Sequence, residues 1–253
     1  MCGIAALLLH PQERPAKDWQ TIKQVLTDDL IFNEDRGKSA TGVAIIQADG
    51  QVILQKMPLP ATEFVATPEY QTLLAEIGPQ TTVILGHTRK PTKGDPACND
   101  NNHPLQAGSI WGVHNGTIDN DDMLFEARGY TRQAEVDSEI IFRLLEPFDP
   151  TLPDCVYLNA IRPQLQGLQG EFTFLACDQR APEKLLVVKH DKPLSLHFHA
   201  SLRALIFSSR YIFLRKMFGP VLLTETLAAD QLLRFDAHKL PLLAHRPIVA
   251  LSF

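Results

Sequence analysis

The sequence lacks several patterns that would assign it to a common functional class. Its four cysteines form no C-x-x-C pair, so neither a zinc site of the usual spacing nor a dithiol redox motif is predicted. There is no long basic run and the net charge is −5, which argues against nucleic acid as a main partner. The longest apolar run near the start, 4–9, is too short to span a membrane and lacks the flanks of a signal peptide. We therefore expect a cytoplasmic protein without membrane association.

The chain also lacks internal repeats, low-complexity segments and linker-like stretches. Short apolar runs bounded by turn residues predict strands, and apolar residues at helical spacing predict helices. The predicted strands cover 3–9, 42–47, 51–56, 82–88, 110–114, 171–177, 184–189, 194–199, 205–208, 231–235 and 248–251. The predicted helices cover 17–32, 69–77, 121–128, 137–146, 156–168 and 211–218. This mixture is typical of an α+β domain in which sheets stack face to face with helices outside.

Cys2 stands apart from the other three cysteines because of its position. Cys177 lies in an apolar run and is predicted to be a core residue, while Cys98 and Cys155 lie in loop-like stretches. Removal of Met1 would leave Cys2 as the first residue, and its own α-amine, with an ordinary pKa of about 7.7 to 8.0, would be the nearest base for the thiol. This position indicates an N-terminal nucleophile. A buried cysteine that merely begins a strand is the alternative.

The segment 86–94 leaves a predicted strand and enters a loop with several basic residues. Arg89, at the strand end, is well placed to bind a carboxylate through its planar guanidinium. A phosphate loop built on Lys90 and Lys93 is a weaker alternative, because the segment lacks the G-x-x-x-x-G-K-[ST] spacing. A solvated basic turn is the third interpretation.

Two further short motifs each allow two interpretations. Asn115-Gly116 after a predicted strand is first of all a turn signal, but an Asn amide beside a Gly backbone N–H also supplies two donors for one oxyanion. In the acidic stretch 135–139, Asp137 or Ser138 is predicted to cap a helix N-terminus. A carboxylate at that position would alternatively bind a substrate ammonium group.

Each of these motifs is weak evidence when taken alone, but six motifs in one order are specific. They are Met1-Cys2-Gly3-Ile4; Arg36-Gly37 followed by Gly42; His87-Thr88-Arg89 with Thr92 and Gly94; His103-Pro104; His114-Asn115-Gly116; and Glu135-Val136-Asp137-Ser138-Glu139. With this order the chain resembles the class II glutamine amidotransferase domain, an N-terminal nucleophile (Ntn) hydrolase. Within this family it resembles the glutaminase domain of glucosamine-6-phosphate synthase. The resemblance is clear over residues 2–146 and fainter to about residue 215.

The resemblance implies a fold, a domain and a set of roles. The expected fold is the four-layer αββα sandwich of Ntn hydrolases, with two antiparallel sheets between helical layers. A single glutamine amidotransferase type 2 domain is expected over residues 2–253, without an acceptor or synthase domain. The implied roles are catalytic for Cys2, Asn115 and Gly116, substrate-binding for Arg89, Thr92, Asp137 and His114, and structural near the site for Arg36.

The reaction implied is the hydrolysis of L-glutamine to glutamate and ammonia through a thioester on Cys2. No metal or organic cofactor is expected, and a separate synthetase or transferase subunit is expected to accept the ammonia. The two alternatives are a glutamine-binding regulatory subunit with weakened turnover and an Ntn hydrolase that acts on another amide.

Three positions depart from the family pattern. The family often has an aromatic residue where this chain has Lys90 and a histidine where it has Lys93. It usually has an acidic residue where this chain has Ser39. Because Lys90 and Lys93 belong to the loop that closes over glutamine in the family, they bear on glutamine affinity and on coupling to a partner.

Overall fold

Two antiparallel sheets organise the chain. The computed structural model describes residues 1–219, 225–242 and 249–252. The strands in these ranges are β1 (Gly3–Leu9), β2 (Ala40–Gln47), β3 (Val52–Met57), β4 (Thr81–Arg89), β5 (Leu105–Ala107), β6 (Ile110–Ile118), β7 (Gly170–Asp178), β8 (Lys184–Lys189), β9 (Ser195–His199), β10 (Ala204–Ser208), β11 (Glu225–Thr226), β12 (Gln231–Asp236) and β13 (Val249–Ser252). The first sheet has the order β11-β9-β10-β1-β4-β2-β3, and the second β13-β12-β8-β7-β6-β5.

Helices cover the outer faces of both sheets. They are α1 (Ala16–Asn33), α2 (Ala61–Phe64), α3 (Pro68–Ala75), α4 (Asp121–Arg128), α5 (Glu139–Leu145), α6 (Asp154–Leu165) and α7 (Tyr211–Phe218). Short 3₁₀ turns lie at Glu34–Arg36, Asn99–Asn101 and Ala237–Leu242. No helix in the described ranges is long and apolar enough to cross a membrane.

The side-chain alternation of β1 explains the layer order. Ile4, Ala6 and Leu8 face the second sheet, where they pack with residues such as Val113 and Leu175. The intervening residues Ala5, Leu7 and Leu9 face α1, α3 and α7. On the far side of the second sheet a third apolar cluster packs α4, α5 and α6 against β6 and β7. Because β1 is covered on both faces, all seven of its residues are buried. The expected αββα sandwich of two antiparallel sheets is thus confirmed.

Strand direction brings the chemically interesting segments to one end of the sandwich. β1 pairs antiparallel with β4, with Gly3 opposite Thr88, so the residue before β1 lies beside the end of β4. β1 also pairs antiparallel with β10, with Ala5 opposite Ser208, so the end of β10 lies there too. Cys2, Arg89 and the residues after Ser208 are therefore neighbours although they are far apart in sequence.

The main difference from the sequence prediction concerns Asn115-Gly116. The predicted strand 110–114 continues to Ile118, so these two residues lie inside β6 and the turn interpretation is wrong. Asn115 pairs with Thr173 and Gly116 with Phe172 on β7. Gly116 has φ +130°, and a Cβ there would lie 1.8 Å from the Glu171 carbonyl oxygen. The backbone conformation therefore requires glycine at this position. In the sequence, such a glycine cannot be distinguished from a glycine in a turn.

Several smaller predictions are also corrected. Neither α2, in a segment where no helix or strand was predicted, nor β5 was expected from the sequence. Cys155, predicted to lie in a loop, lies in α6. The helix predicted over 137–146 begins at Glu139, and neither Asp137 nor Ser138 caps it through its side chain. The predicted strand 248–251 is found from Val249, and residue 248 lies outside the described residues.

A carboxyl group is buried where α1 packs on the first sheet. Asp29 is fully buried, and its Oδ1 accepts hydrogen bonds from the Ser208 hydroxyl (2.6 Å) and the Asn33 amide (2.8 Å). Its Oδ2 has no hydrogen-bond partner among the described residues. Burial raises the pKa of Asp29 well above its usual value, although the bonds from Ser208 and Asn33 lower it. The environment therefore shifts the balance at Asp29 towards the protonated carboxyl group, compared with a carboxyl group in water.

Replacing Asp29 with asparagine, a neutral isostere, is expected to flatten the pH dependence of stability. A carboxyl whose pKa is higher in the folded than in the unfolded state stabilises the fold below the unfolded pKa of about 3.9, and that contribution is lost as pH rises towards the folded pKa. The free energy of unfolding of Asp29→Asn minus that of the parent should thus grow by up to about 1.4 kcal/mol per pH unit across that window.

Urea unfolding at several values between pH 4 and pH 8 measures this difference. Asp28→Asn is the matched control, because Asp28 is the neighbouring residue but is only partly buried and accepts a hydrogen bond from Gln24. Parallel pH profiles for Asp29→Asn and the parent protein would show that Asp29 is not held protonated.

Candidate active site

Cys2 is held at the start of β1 by both neighbouring segments. The Arg36 Nε–H donates to the Cys2 carbonyl oxygen at 2.6 Å. The sulfur lies against the first residue after β4, where the Lys90 N–H donates to Sγ and the thiol donates to the Lys90 carbonyl oxygen, both at 3.3 Å. Gly3 allows this approach, since a Cβ there would lie within 2.6 Å of Asn33 and Thr88. The residue Cys2 as a whole is partly exposed.

The electrostatic surroundings of the thiol are mixed. Burial raises the pKa of Cys2, and the negative charge of Asp137 acts in the same direction. The Lys90 N–H, the α-amine of Met1 and the Arg89 guanidinium lower it. Arg89 and Asp137 thus lie near enough to Cys2 for their charges to act on it. Because burial is the largest of these influences, the thiol needs an additional base to ionise.

Arg89 connects the end of β4 to the loop that follows it. Its guanidinium is almost fully buried, with Nη1 donating to the Asn102 side-chain oxygen at 2.7 Å. Nη2 donates to the carbonyl oxygens of Lys93 and Gly94 at 2.6 and 2.8 Å. The phosphate-loop interpretation of this segment is not supported, because the Lys93 ammonium points to carboxylates. Arg89 is therefore a structural anchor of the loop as well as a candidate carboxylate ligand.

A cluster of four charged residues ties the same loop to α4. Lys93 Nζ lies 2.8 Å from Asp121 and 3.1 Å from Asp122, the first two residues of α4. Arg132 contacts the same two carboxylates, at 2.6 Å for Asp121. We call Lys93, Asp121, Asp122 and Arg132 the ionic latch. It links the loop at 90–94 to the segment 132–137 that leads to Asp137.

Asp137 does not cap α5 but faces β6. Its Oδ2 accepts the Ile118 backbone N–H at 2.6 Å, and its Oδ1 lies 3.4 Å from the Ser138 hydroxyl. The carboxylate is 4% exposed. Its negative charge also raises the pKa of His114, although burial lowers that pKa more strongly. The Asp137 side chain therefore lies beside the end of β6, where the Ile118 N–H holds one of its oxygens.

Asn115 and Gly116 lie on β6, opposite the start of β1. The Asn115 side chain is buried and its Nδ2 donates to the Ser209 hydroxyl at 2.9 Å. The Ser209 hydroxyl also accepts the Ile4 N–H at 2.7 Å, which joins Asn115 to the strand that begins after Cys2. Asn115 therefore has a fixed place relative to β1.

Three buried histidines lie beneath these residues. The ring centroids of His87 and His103 are 4.3 Å apart, and those of His103 and His114 are 6.3 Å apart. His87 Nε2 contacts the His114 carbonyl oxygen (3.0 Å), and His114 Nδ1 contacts the Ser138 hydroxyl (2.7 Å). Burial lowers the pKa of all three, that of His87 to about 3. Across the described part of the chain no group of His, Cys, Asp or Glu is arranged to hold a metal ion. The three neutral rings support the Asn115 and Asp137 segments.

The structure thus brings most of the predicted site residues to one end of the sandwich. Cys2, Arg89, Asn115, Gly116 and Asp137 lie there, with Arg36 holding the Cys2 carbonyl. Thr92 is exposed on the loop, and His114 is buried behind the site rather than open to it.

Two contributing residues were missed at the sequence level. Asn102, which holds Arg89, lies in the polar run 99–102 before His103-Pro104. This asparagine-rich run was a usable signal in the sequence. Ser209 has no local signal, because its role depends on the antiparallel pairing of β10 with β1.

Comparison with known proteins identifies similar sequences. The sequence model of a family described as a glutamine amidotransferase domain matches residues 95–216. The chain is 31% identical over 230 residues to the glutamine–fructose-6-phosphate aminotransferase (isomerizing) of Salmonella typhi, covering 85% of this chain and 34% of that protein. To the enzyme of the same name from Vibrio cholerae it is 27% identical over 201 residues, covering 78% of this chain and 30% of that protein. The chain therefore spans about a third of the length of these relatives.

The fold is also found in solved structures. The glutamine phosphoribosylpyrophosphate amidotransferase of B. subtilis, complexed with ADP and GMP, superposes with a TM-score of 0.70 at 17% identity. The match covers 99% of this chain and 49% of that one. A structure described as the allosteric regulatory enzyme of purine biosynthesis gives a TM-score of 0.68, also at 17% identity. From the ordered motifs, the two-sheet sandwich and these similarities, the chain carries a class II glutamine amidotransferase domain with the Ntn-hydrolase fold.

Proposed function

We propose that this protein hydrolyses L-glutamine to glutamate and ammonia through a thioester on Cys2. The main support is the position of the Cys2 thiol at the head of a central strand, under the influence of one buried cation and one buried anion, Arg89 and Asp137. A free α-amino acid carries the complementary pair of charges. The similarity to glutamine–fructose-6-phosphate aminotransferases points to glutamine as that amino acid.

The proposed reaction begins once Met1 has been removed. The α-amine of Cys2, through a water molecule, takes the thiol proton, and the thiolate attacks the side-chain amide carbon of glutamine. The Asn115 amide and the Gly116 N–H stabilise the negative oxygen of the tetrahedral intermediate. Ammonia leaves with the transferred proton and a γ-glutamyl thioester remains. Water then attacks the thioester, which releases glutamate and regenerates the thiol.

Selectivity for a free amino acid follows from the two charged residues. Arg89 would bind the α-carboxylate and Asp137 the α-ammonium group, so glutamine within a peptide would lose one or both ion pairs. Both side chains are almost fully buried, which strengthens their interaction with a charged ligand. We expect the acceptor of the ammonia on a partner subunit, which co-purification from the source cells would identify.

The direct test is an assay of the purified protein with L-glutamine. Glutamate and ammonia should appear in equal amounts, while N-acetyl-glutamine and glutamine amidated at its α-carboxyl should be poor substrates. A diazo-ketone analogue of glutamine should add to Cys2, as seen by mass spectrometry of the N-terminal peptide. Glutamine binding without glutamate release would favour the regulatory alternative. Hydrolysis of the blocked amides at equal rates would favour a different amide substrate.

The ionic latch gives a prediction about glutamine affinity. Replacing Lys93 with methionine removes the contact between the loop and α4 while keeping the length of the side chain. Exposed ion pairs typically contribute about 0.2–1 kcal/mol, so the KM for glutamine should rise by about 1.5- to fivefold with kcat nearly unchanged. Because the latch is accessible to solvent, salt should screen it, and the difference from the parent should shrink in 1 M NaCl.

Lys90→Met is the matched control for this prediction. Lys90 lies in the same loop and is exposed, but its side chain forms no ion pair among the described residues. The KM of Lys90→Met for glutamine should therefore keep the salt dependence of the parent protein. An unchanged KM in Lys93→Met at low salt would exclude a role of the latch in ordering the loop.

A further inference from the structure

Ser209 is a fully buried hydroxyl that joins the two sheets. It follows β10 directly, and its Oγ accepts the Ile4 N–H at 2.7 Å and the Asn115 Nδ2–H at 2.9 Å. The Ser209 N–H donates in turn to the Ile4 carbonyl oxygen at 3.1 Å. One side chain therefore connects Asn115, on β6 of the second sheet, to β1 of the first sheet two residues after Cys2.

The hydrogen bond from Asn115 to Ser209 restrains the torsion of the Asn115 side-chain amide. The terminal amide of an asparagine side chain rotates in a broad potential, so the covalent structure alone does not aim its N–H groups. Asn115 Nδ2 carries two N–H groups, and the bond to Ser209 uses one of them. The other keeps a defined direction because the amide plane is pinned. Donors that are aimed before the reaction begins stabilise an oxyanion most effectively.

The neighbouring Ser208 has a different environment. Its side chain faces α1, where it donates to Asp29 (2.6 Å) and lies 3.3 Å from the Asn33 amide. Both serines are fully buried and hydrogen-bonded, and they are adjacent in sequence. They differ in that Ser209 alone of the two contacts Asn115. Ser208 therefore provides an internal control for the loss of a buried hydroxyl at this end of β10.

We propose that Ser209 is a positioning residue that aims the Asn115 amide at the oxyanion and fixes its distance from the strand carrying Cys2. The kinetic part of this proposal rests on the proposed glutamine hydrolysis; the restraint on Asn115 does not. Ser209 itself has no contact with substrate in this scheme. It acts only through Asn115, which distinguishes it from a residue that simply stabilises the pairing of β10 with β1.

A double-mutant cycle tests this dependence. Ser209→Ala should lower kcat for glutamine by about three- to tenfold with little change in KM, since the Asn115 amide loses the hydrogen bond that aims it at the oxyanion. Asn115→Ala should lower kcat by about 10²–10³-fold. In the Asn115→Ala background, Ser209→Ala should have less than about a twofold further effect, because its target is gone. Equal losses in both backgrounds would overturn the proposal.

Two readouts separate this proposal from the general function and from misfolding. Alkylation of Cys2 by iodoacetamide needs the thiolate but no oxyanion donor, so its rate should be the same in Ser209→Ala as in the parent. Ser208→Ala should keep the parent kcat, and thermal unfolding should show both serine variants folded. A slower alkylation that matches the fall in kcat would place the effect on β1 and Cys2 instead, which contradicts the proposal.

A spectroscopic test does not depend on turnover. In protein labelled with side-chain ¹⁵N-asparagine, the two Asn115 amide protons should have separate, slowly exchanging signals. Ser209→Ala should broaden them or speed their exchange, and Ser208→Ala should not. If the parent protein fails to hydrolyse glutamine but shows this response, the proposed function fails while the restraint stands. If Ser209→Ala leaves the Asn115 signals unchanged, the restraint itself is refuted.

Discussion

Cys2→Ala is expected to abolish glutamine hydrolysis, with a loss of kcat on the order of 10⁴-fold or more. The substitution removes the sulfur that would form the proposed thioester. Of the other cysteines, Cys98 is exposed just before the turn Asn99–Asn101, Cys155 is exposed on α6, and Cys177 is buried between the sheets. The fold should persist, because the Arg36 contact is made to the Cys2 backbone oxygen and not to the side chain. Glutamate release, followed with a coupled dehydrogenase, measures the loss.

Cys155→Ala is the matched control for this experiment. It removes an exposed thiol from α6 on the outer layer and should leave kcat unchanged. Cys2→Ala should still bind glutamine, since Arg89 and Asp137 are intact, and calorimetric titration should detect that binding. Appreciable hydrolysis by Cys2→Ala would require a different nucleophile and would reject the proposed mechanism.

Protein that retains Met1 is expected to hydrolyse glutamine about 10²–10⁴-fold more slowly than protein that begins with Cys2. This factor is the usual contribution of a general base. With Met1 in place the nitrogen of Cys2 is an amide, which cannot accept a proton at neutral pH. Burial raises the pKa of the Cys2 thiol, so little thiolate forms without a base. Removal of Met1 converts that same nitrogen into an amine whose ordinary pKa is about 7.7 to 8.0. Its charged form would also lower the thiol pKa.

The measurement uses one preparation at several degrees of processing. Treatment with a methionine aminopeptidase for increasing times, with intact-mass analysis of each sample, gives the fraction that begins with Cys2. Specific activity should rise in proportion to that fraction. Protein treated with heat-inactivated aminopeptidase is the control, and its activity should stay constant. Activity that is independent of the processed fraction would remove the α-amine from the mechanism.

The long, strongly patterned elements were predictable from the sequence. The helix predicted over 17–32 is α1 (Ala16–Asn33), and the strand predicted over 82–88 is β4 (Thr81–Arg89). Both elements have apolar residues at a regular spacing that forms one continuous apolar face, and this spacing can be read from the sequence. The short elements α2 and β5 were missed because four and three residues carry too little pattern, and tertiary pairing decides them.

The site was predictable where a residue type and a motif coincide. The placement of Arg89 at a strand end followed from the apolar run that precedes it. The turn prediction for Asn115-Gly116 failed because a glycine required by close backbone approach has the same sequence signature as a glycine in a turn. Ser209 was not predictable, since its partners Ile4 and Asn115 are 205 and 94 residues away. Only the sheet order brings the three together.

The bonding of Arg89 has a consequence for how a ligand and the loop communicate. A guanidinium can hold a carboxylate with two parallel N–H bonds along either of two edges, and both edges include Nη2. Nη2 already donates to the carbonyl oxygens of Lys93 and Gly94. A carboxylate bound in this way must therefore compete with the loop backbone for the same amino group. If Arg89 binds the α-carboxylate of glutamine as proposed, ligand occupancy and the position of residues 93–94 would thus be coupled through a single shared donor.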